Sequence, residues 1–331
     1  MRIVPNGLPP FTKRDWSALS PEAKRTPSAL LLIHGTISKT ASPVNGLGDK
    51  FLDWAREHYG IVLGFDHWTL SKDPQQNAEM LAEQLQLMAP ELLENRRLDI
   101  ITHSRGGLVA RAFCELGGHE KAVRNLIFLG TPNCGTDLAK SENWGRMADT
   151  LVNFSGMKHA EPIGYLAGLL ARLAAMGVKE QIPGLRAQDP DMAGVSGEFL
   201  HKLQQLSIDP KGVRYGVIAA DFEPTPLVPN LKKLWAAAKN MGLDDAADKF
   251  FQDGNDLVVN TSHVWCLDQS SAEKKKLPAF LNDRVLAFVP PDTSVDMPAG
   301  VRREIALGVD HFNLFSQPRA QACIKDWLLE T

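Results

Sequence analysis

Short apolar runs alternate with helical patterns through the first 130 residues of the chain. Four of the runs predict buried strands, at 29–35, 61–68, 97–104 and 123–132. The segments between them have helical spacing and predict three helices. The first covers 51–60, the second begins after Asp73 with Pro74 in its first turn, and the third covers 105–116 and ends before Gly117. Strands that alternate with helices predict βαβ units and a mostly parallel sheet flanked by helices.

The strand rhythm is lost between about 137 and 212, where Ala, Leu, Gly and Met recur at helical spacing. We expect this stretch to form a helical cap or lid inserted into one domain that spans residues 1–331. Strand patterns return at 213–222, 256–265 and 285–291, with a helical pattern at 230–251 and a last helix within 316–330. These later segments complete the predicted sheet.

Composition excludes several classes of protein. Apolar residues make up 44% of the chain and charged residues 23%, which indicates a folded globular protein rather than a disordered one. The formal net charge of −3 provides no attraction for nucleic acid. No run reaches the ~20 apolar residues that a membrane-spanning helix needs, and the first residues lack the apolar region of a signal peptide. We therefore expect a cytoplasmic protein without a transmembrane segment.

The four cysteines are far apart in the sequence and form no C-x-x-C pair: Cys114, Cys134, Cys266 and Cys323. This spacing is unlike that of a zinc site or a dense disulfide framework. The simplest expectation is four reduced thiols.

The stretch "DIITHSRGG" places Ser104 where a predicted strand turns directly into a helix. Such a turn strains the backbone at the serine and crowds the residues two positions away, so small residues are favoured there. Gly106 meets this requirement, whereas Thr102 stands where a glycine is more usual. A serine here could also be a simple N-cap for the helix, but capping leaves "LIHGT" and "GTPNCGT" unexplained.

With these motifs the sequence resembles the α/β-hydrolase superfamily, in particular its bacterial lipase and esterase branch. The resemblance rests on "THSRGGLVAR" at 102–111 and "GTPNCGT" at 130–136, and it covers roughly residues 29 to 315. It implies an α/β-hydrolase fold with a serine nucleophile, here Ser104. The stretch "FDHWTLSKDPQQNAEML" further resembles uncharacterised bacterial hydrolase-like domains that sometimes accompany caspase-like proteases.

A serine nucleophile needs a histidine as base and a carboxylate that orients the histidine, and in this fold they follow in the order serine, acid, histidine. His311 follows the last strand-like segment and a long loop, so we expect it to be the base, ahead of His201 and His263. Asp256 lies in "NDLV", which resembles the turn that carries the acid in bacterial lipases. Two other aspartates remain open as the acid, Asp221 as the main competitor and Asp253 close by.

The same resemblance assigns the oxyanion hole to two backbone amides. One belongs to Arg105, directly after the nucleophile, and the other to Thr36, directly after the His34–Gly35 pair. Neither metal-ligand spacing nor a phosphate-binding glycine loop is present in the sequence, so no cofactor and no metal are expected.

The sequence therefore predicts a serine hydrolase that cleaves a small-molecule or lipid ester. An acyltransferase or thioesterase could use the same three residues. A catalytically silent hydrolase fold that binds a partner is a further alternative, although a binding module has no need to retain all three.

Overall fold

A single mixed sheet runs through the described part of the chain. The computed structural model describes residues 1–3, 13, 29–140, 144, 145, 148, 161–175, 182–206, 212–223, 254–268, 276–293 and 296–330. The strands of the sheet are β1 (Arg2–Ile3), β2 (Ala29–Ile33), β3 (Ile61–Phe65), β4 (Leu98–His103), β5 (Val123–Leu129), β6 (Arg214–Ala220), β7 (Val285–Val289) and β8 (Arg302–Ile305). Their spatial order is β1-β3-β2-β4-β5-β6-β7-β8. Strands β2 to β8 are parallel, and the short β1 pairs antiparallel with β3.

Helices connect and cover these strands. They are α1 (Ala41–His58), α2 (Pro74–Met88), α3 (Arg105–Arg111), α4 (Glu161–Ala175), α5 (Pro183–Arg186), α6 (Phe199–Gln205), α7 (Thr261–Val264) and α8 (Pro318–Leu329). A π-helical turn, Ala112–Leu116, continues α3. Among the helices that the structure describes, none is both long and apolar enough to cross a membrane.

The apolar runs of the strands produce two apolar layers, one on each face of the sheet. Leu30 and Leu32 of β2 belong to a layer that contains Phe51 of α1 and residues of α8. Leu31, between them, belongs to the opposite layer together with Leu81 of α2. Because successive strand residues face opposite sides, a strand covered on both faces is apolar throughout, as β2 is.

Most predicted elements are present. The start of α2 is the one that the sequence predicts: the Asp73 carboxylate accepts the Gln76 N–H at 2.8 Å, the Gln76 side chain accepts the Asp73 N–H at 3.1 Å, and Pro74 occupies the first turn. Helix α1 begins ten residues before the predicted start at residue 51, and it contains a non-helical Gly48. The predicted helix at 230–251 lies outside the described residues.

Two predictions about secondary structure are wrong. The segment 256–265, predicted as a strand, turns sharply and leads into α7, because the Asp256 side chain accepts the N–H groups of Val258 and Val259. The apolar residues of this segment are buried, and burial rather than strand pairing explains their pattern. Strand β8 lies in a stretch expected to be a loop and forms the partly exposed edge of the sheet.

The expectation of four unpaired cysteines is also wrong. Cys134 and Cys266 form a disulfide across 132 residues of sequence, with Cα atoms 5.7 Å apart. The loop after β5 packs against the segment around α7, which brings the two cysteines together. Cys114 and Cys323 are free and buried.

The sheet order places two loops side by side at the carboxyl ends of β2 and β4. Strand β2 lies between β3 and β4, so the chain leaves β2 toward one side of the sheet and returns to pair on its other side. In open α/β sheets, such a reversal creates a crevice outside the carboxyl ends of the strands. Both Thr36 and Ser104 follow strands that end at this crevice.

Candidate active site

Ser104 lies at a strained turn between β4 and α3. Its backbone has φ of 53° and ψ of −132°, a conformation that non-glycine residues rarely adopt. The serine makes no side-chain capping hydrogen bond to α3, so the N-cap alternative is wrong. A strained conformation that no local cap explains is typical of a functional position.

Two glycines allow the chain to approach Ser104 closely. A Cβ atom on Gly106 would lie 2.5 Å from the carbonyl oxygen of Ile33, and a Cβ atom on Gly35 would lie 2.7 Å from the Cβ of Ser104. Thr102, two residues before the serine, is accommodated because its hydroxyl donates to the Ile127 carbonyl at 3.0 Å. The crowding expected around the turn is therefore present at Gly106. At Thr102 the side chain fits because its hydroxyl bonds to a neighbouring strand.

Asp256 and His311 form a buried pair. The His311 Nδ1 lies 2.8 Å from an Asp256 carboxylate oxygen, and the His311 backbone N–H donates to the Asp256 carbonyl at 2.9 Å. The other carboxylate oxygen accepts the Val258 and Val259 N–H groups at 3.0 and 2.7 Å. A carboxylate can only accept here, so Nδ1 carries the proton and Nε2 is left as an acceptor.

The competing acids and histidines lie elsewhere. Asp221 directly follows β6 and accepts the Thr293 hydroxyl at 2.9 Å, while Asp253 lies outside the described residues. Nδ1 of His263 bonds to the Gly135 carbonyl at 2.9 Å, and Nδ1 of His201 bonds to the Ala193 carbonyl at 3.0 Å. Of the described candidates, the structure brings Asp256 alone to His311.

His103, the last residue of β4, connects that strand to the loop that carries His311, and it is not among the predicted site residues. Its Nε2 donates to the backbone carbonyl of His311 at 2.7 Å, and the two rings lie 4.6 Å apart. Burial, together with the adjacent His311, lowers the pKa of His103 to about 3. His103 thus stays neutral and acts as a donor beside the Asp256–His311 pair.

Gly130 forms the floor beneath that pair. The residue has φ of 58°, and a Cβ atom there would lie 2.9 Å from His311 Nδ1 and 3.0 Å from an Asp256 carboxylate oxygen. Gly130 is the first residue of the motif "GTPNCGT". The motif therefore indicated this residue, but it did not predict that the residue contacts His311 and Asp256. A glycine is required at this point by both the backbone angle and the space.

The loop after β2 contains the predicted oxyanion residue Thr36. His34, directly before Gly35, donates from Nδ1 to the Gly35 carbonyl at 2.9 Å. Nε2 of the same ring accepts the backbone N–H of His67 at 3.3 Å. Burial lowers the pKa of His34, which keeps the ring neutral and in this bonding arrangement.

Arg105, the second predicted oxyanion residue, begins α3. The first N–H groups of a helix have no partner within the helix, so the Arg105 amide is available to an acceptor near Ser104. The guanidinium is buried and donates to the carbonyls of Lys72 at 2.6 Å and Gly184 at 3.3 Å. Burial lowers the pKa of this group to about 10, so it remains charged at neutral pH.

A pocket that opens to solvent lies over Ser104 and His311. Its polar wall includes Thr36, His103, Ser104, Gln188 and His311. Its apolar wall comes from the loop after β5, from α4 and α5 and from the Asp256 turn, and includes Leu138, Ala139, Leu169, Leu170, Leu173, Leu185 and Val258. Within the described ranges, no group of three or more His, Cys, Asp or Glu residues is arranged to hold a metal ion.

A family model described as a domain of unknown function, DUF7379, matches residues 5–329. The chain belongs to the DUF7379 family. No curated protein matches the sequence.

Solved structures similar to this DUF7379 chain are α/β-hydrolases. The mature lipase BlEst2 of Bacillus licheniformis superposes with a TM-score of 0.51 at 14% identity, over 91% of each chain. Phospholipase PlaB of Legionella pneumophila gives 0.46 at 15% identity over 72% of this chain and 45% of its own. An esterase of Thermogutta terrifontis gives 0.43 at 14% identity over 91% of this chain and 89% of its own. The fold is the α/β-hydrolase fold, as the sequence motifs imply.

Proposed function

We propose that the protein is a serine hydrolase that cleaves carboxylic esters through an acyl-enzyme on Ser104. The observation that carries the proposal is the Asp256–His311 pair, with an N–O distance of 2.8 Å, in the same pocket as a serine on a strained strand-to-helix turn. His311 is the base in this proposal, Asp256 orients it, and the Thr36 and Arg105 amides form the oxyanion hole.

In the acylation step, the Ser104 oxygen bonds to the ester carbonyl carbon and its proton moves to Nε2 of His311. The carbonyl electron pair moves to the oxygen, and the two amides donate to the resulting oxyanion. When the carbonyl re-forms, the bond to the alcohol oxygen breaks, and the departing oxygen takes the proton from His311. Water then attacks the acyl group, with His311 accepting and returning the proton in the same way.

The pocket supports an ester with an apolar acyl group as substrate. Its apolar wall is built from leucines of the 137–212 stretch, which we propose acts as a cap over the site. Apolar walls with a few convergent polar groups are typical of small-molecule sites. The Bacillus protein of the same fold is named a lipase, which fits this substrate class.

The strained serine also argues against the catalytically silent alternative. Holding a non-glycine residue at φ of 53° costs on the order of 1–2 kcal/mol, and a binding module gains nothing from that cost. An acyltransferase or thioesterase would share the acylation step and differ in the acceptor or the leaving group.

The proposal is tested by hydrolysis of p-nitrophenyl esters with the wild-type protein and Ser104→Ala. We expect turnover by the wild type and a loss on the order of a millionfold in the variant, because the nucleophile is removed. Circular dichroism should show the same fold in both proteins. Equal turnover by Ser104→Ala would reject Ser104 as the nucleophile, and no turnover of any ester by the wild type would reject the esterase activity.

A further inference from the structure

The segment 66–72, between β3 and α2, bonds to residues beside both predicted oxyanion positions. It lies within the stretch "FDHWTLSKDPQQNAEML", for which the proposed reaction has no role. Its residues bond to the loop 34–40, to the side chain of Arg105 and to α5.

Three residues of the segment form hydrogen bonds with three different residues of the loop 34–40. An Asp66 carboxylate oxygen accepts both the backbone N–H and the hydroxyl of Thr40, each at 2.8 Å. The His67 N–H donates to His34, whose ring stacks on that of His67 with 4.2 Å between centroids. The Thr69 hydroxyl accepts the N–H of Ile37 at 3.1 Å.

These bonds fix the peptide on each side of Thr36. The peptide that carries the Thr36 N–H has its carbonyl, on Gly35, bonded to His34. The following peptide has its N–H, on Ile37, bonded to Thr69. Because the two peptides on either side of one Cα atom set its φ and ψ, holding both fixes the direction of the Thr36 amide.

Ile37 is the weak point of this arrangement. Its φ is 49°, a left-handed conformation that is unfavourable for a β-branched residue. The residue is also exposed, so burial does not hold it in place. The bond to Thr69 therefore opposes the tendency of Ile37 to relax and turn the Thr36 peptide away.

The same segment also bonds to the side chain of Arg105 and packs against α5. The Lys72 carbonyl accepts from the Arg105 guanidinium, and the Leu70 carbonyl accepts the Gly184 N–H at 3.0 Å. A Cβ atom on Gly184 would lie 2.1 Å from the Thr69 carbonyl oxygen, so α5 lies directly against the segment.

We propose that the segment 66–72 positions the two oxyanion amides, and that Thr69 is the positioning residue that holds the Thr36 peptide through Ile37. This inference rests on the proposed hydrolase function. It predicts that loss of the Thr69 acceptor weakens the transition state and leaves substrate binding unchanged.

The matched variants are Thr69→Val, which keeps the shape and removes the acceptor, and Thr69→Ser, which keeps the hydroxyl. We measure kcat and KM for a p-nitrophenyl ester and the inhibition constant of a trifluoromethyl ketone. The Ser104 oxygen bonds to the carbonyl carbon of the ketone, the serine proton moves to His311, and the carbonyl electron pair moves to the oxygen, which forms an oxyanion between the two amides. It reports on oxyanion geometry directly.

We expect Thr69→Val to lower kcat and raise the inhibition constant by the same factor, roughly 10- to 100-fold, with KM within about twofold of the wild type. Thr69→Ser should lie within about threefold of the wild type, since the acceptor is kept. In an Ile37→Gly background the effect of Thr69→Val should shrink to about threefold or less, because glycine adopts a left-handed φ without support. If Thr69→Val does not fold, Thr69→Ala removes the hydroxyl without added bulk and carries the same expectations.

The inference is overturned if the wild type hydrolyses the ester and binds the ketone while Thr69→Val does both equally well. It is also overturned if Thr69→Ser loses as much as Thr69→Val, or if Ile37→Gly does not reduce the loss. A wild-type protein that neither cleaves esters nor binds the ketone contradicts the proposed function, and the inference with it.

Discussion

Two buried histidines near the pocket have opposite surroundings. His311 faces the Asp256 carboxylate at 2.8 Å, so a positive charge on its ring would be compensated. His34 bonds to a carbonyl and to an N–H group, and it stacks on His67. The Asp66 carboxylate lies 3.7 Å from His34, but the oxygen at that distance already accepts two bonds from Thr40.

Because the two histidines are equally buried, their different partners distinguish what each of them can do. Both side chains are almost completely buried, with 1% and 3% of their surface exposed for His34 and His311. A proton on His34 would lie near the Arg105 guanidinium and the His67 ring, and burial lowers the pKa of both His34 and His67. One histidine is therefore suited to accept a proton during a reaction, and the other to remain neutral and hold a loop.

The largest predicted effect concerns His311, the proposed base. His311→Ala should lower ester turnover on the order of a millionfold, to the level of Ser104→Ala, because the two residues act as one unit. The double variant should lose no more than either single one. His263→Ala, which removes a histidine bonded to Gly135, should stay within about threefold of the wild type in kcat. If His263→Ala loses activity while His311→Ala retains it, the base is His263 and the assignment of His311 is wrong.

The next largest effect distinguishes Asp256 from Asp221 as the acid that orients His311. Asp256→Asn should reduce kcat by roughly 10⁴-fold, because an amide can present an N–H to His311 and favour the wrong tautomer. Asp221→Asn changes a carboxylate that bonds to Thr293 and should reduce kcat far less. Steady-state kinetics of the two variants at pH 8 decides between them, and a larger loss in Asp221→Asn would contradict the assignment of the acid.

A smaller effect tests the floor beneath the Asp256–His311 pair. Gly130→Ala should lower kcat by roughly 10- to 100-fold, since the new methyl group displaces both members of the pair. Gly118→Ala is the control: its φ is 71°, similar to that of Gly130, but no atom lies within 4 Å of the new methyl group. Both variants should lose about 1–2 kcal/mol of stability from backbone strain, and Gly118→Ala should keep its turnover. Equal kcat values for the two variants would show that the contact has no catalytic consequence.

The smallest effect is the pH dependence of stability that comes from His67, which stacks on His34. Burial, with His34 and Arg105 nearby, lowers the pKa of His67 well below 6.5 in the folded protein. The unfolded chain then binds a proton that the folded protein does not, so the stability falls as the pH drops below about 6.5. His67→Phe keeps an aromatic ring in the stack and removes the titrating group. Between pH 7 and pH 5, urea unfolding should show a loss of stability that is smaller in His67→Phe by about 1–2 kcal/mol. An identical loss in both proteins would contradict a neutral His67.

The sequence predicts much of the sheet and the residues of the candidate site because both depend on local signals. Apolar runs such as that of β2, the cap of α2 and the glycine two residues after Ser104 are visible within a few residues of sequence. The predicted triad residues lie in three such local motifs. The structure then adds the distance between Asp256 and His311.

Features that depend on contacts between distant segments could not be predicted. The disulfide joins cysteines 132 residues apart, and the bond from His103 to the His311 carbonyl spans 208 residues. The segment 256–265 has a strand-like sequence, but the side chain of Asp256 bends it into a turn. The bond between Ile37 and Thr69 depends on how two loops at the same sheet edge pack together.

The central claim is that Ser104 is a nucleophile activated by His311. Treatment of the wild-type protein with a fluorophosphonate, followed by digestion and mass spectrometry, tests it most directly, since the serine oxygen displaces fluoride from phosphorus only when its proton is removed. We predict a single phosphonylated peptide modified at Ser104, with labelling slowed strongly in His311→Ala and absent in Ser104→Ala. A modification at another residue, or equal labelling of the wild type and His311→Ala, would contradict the account.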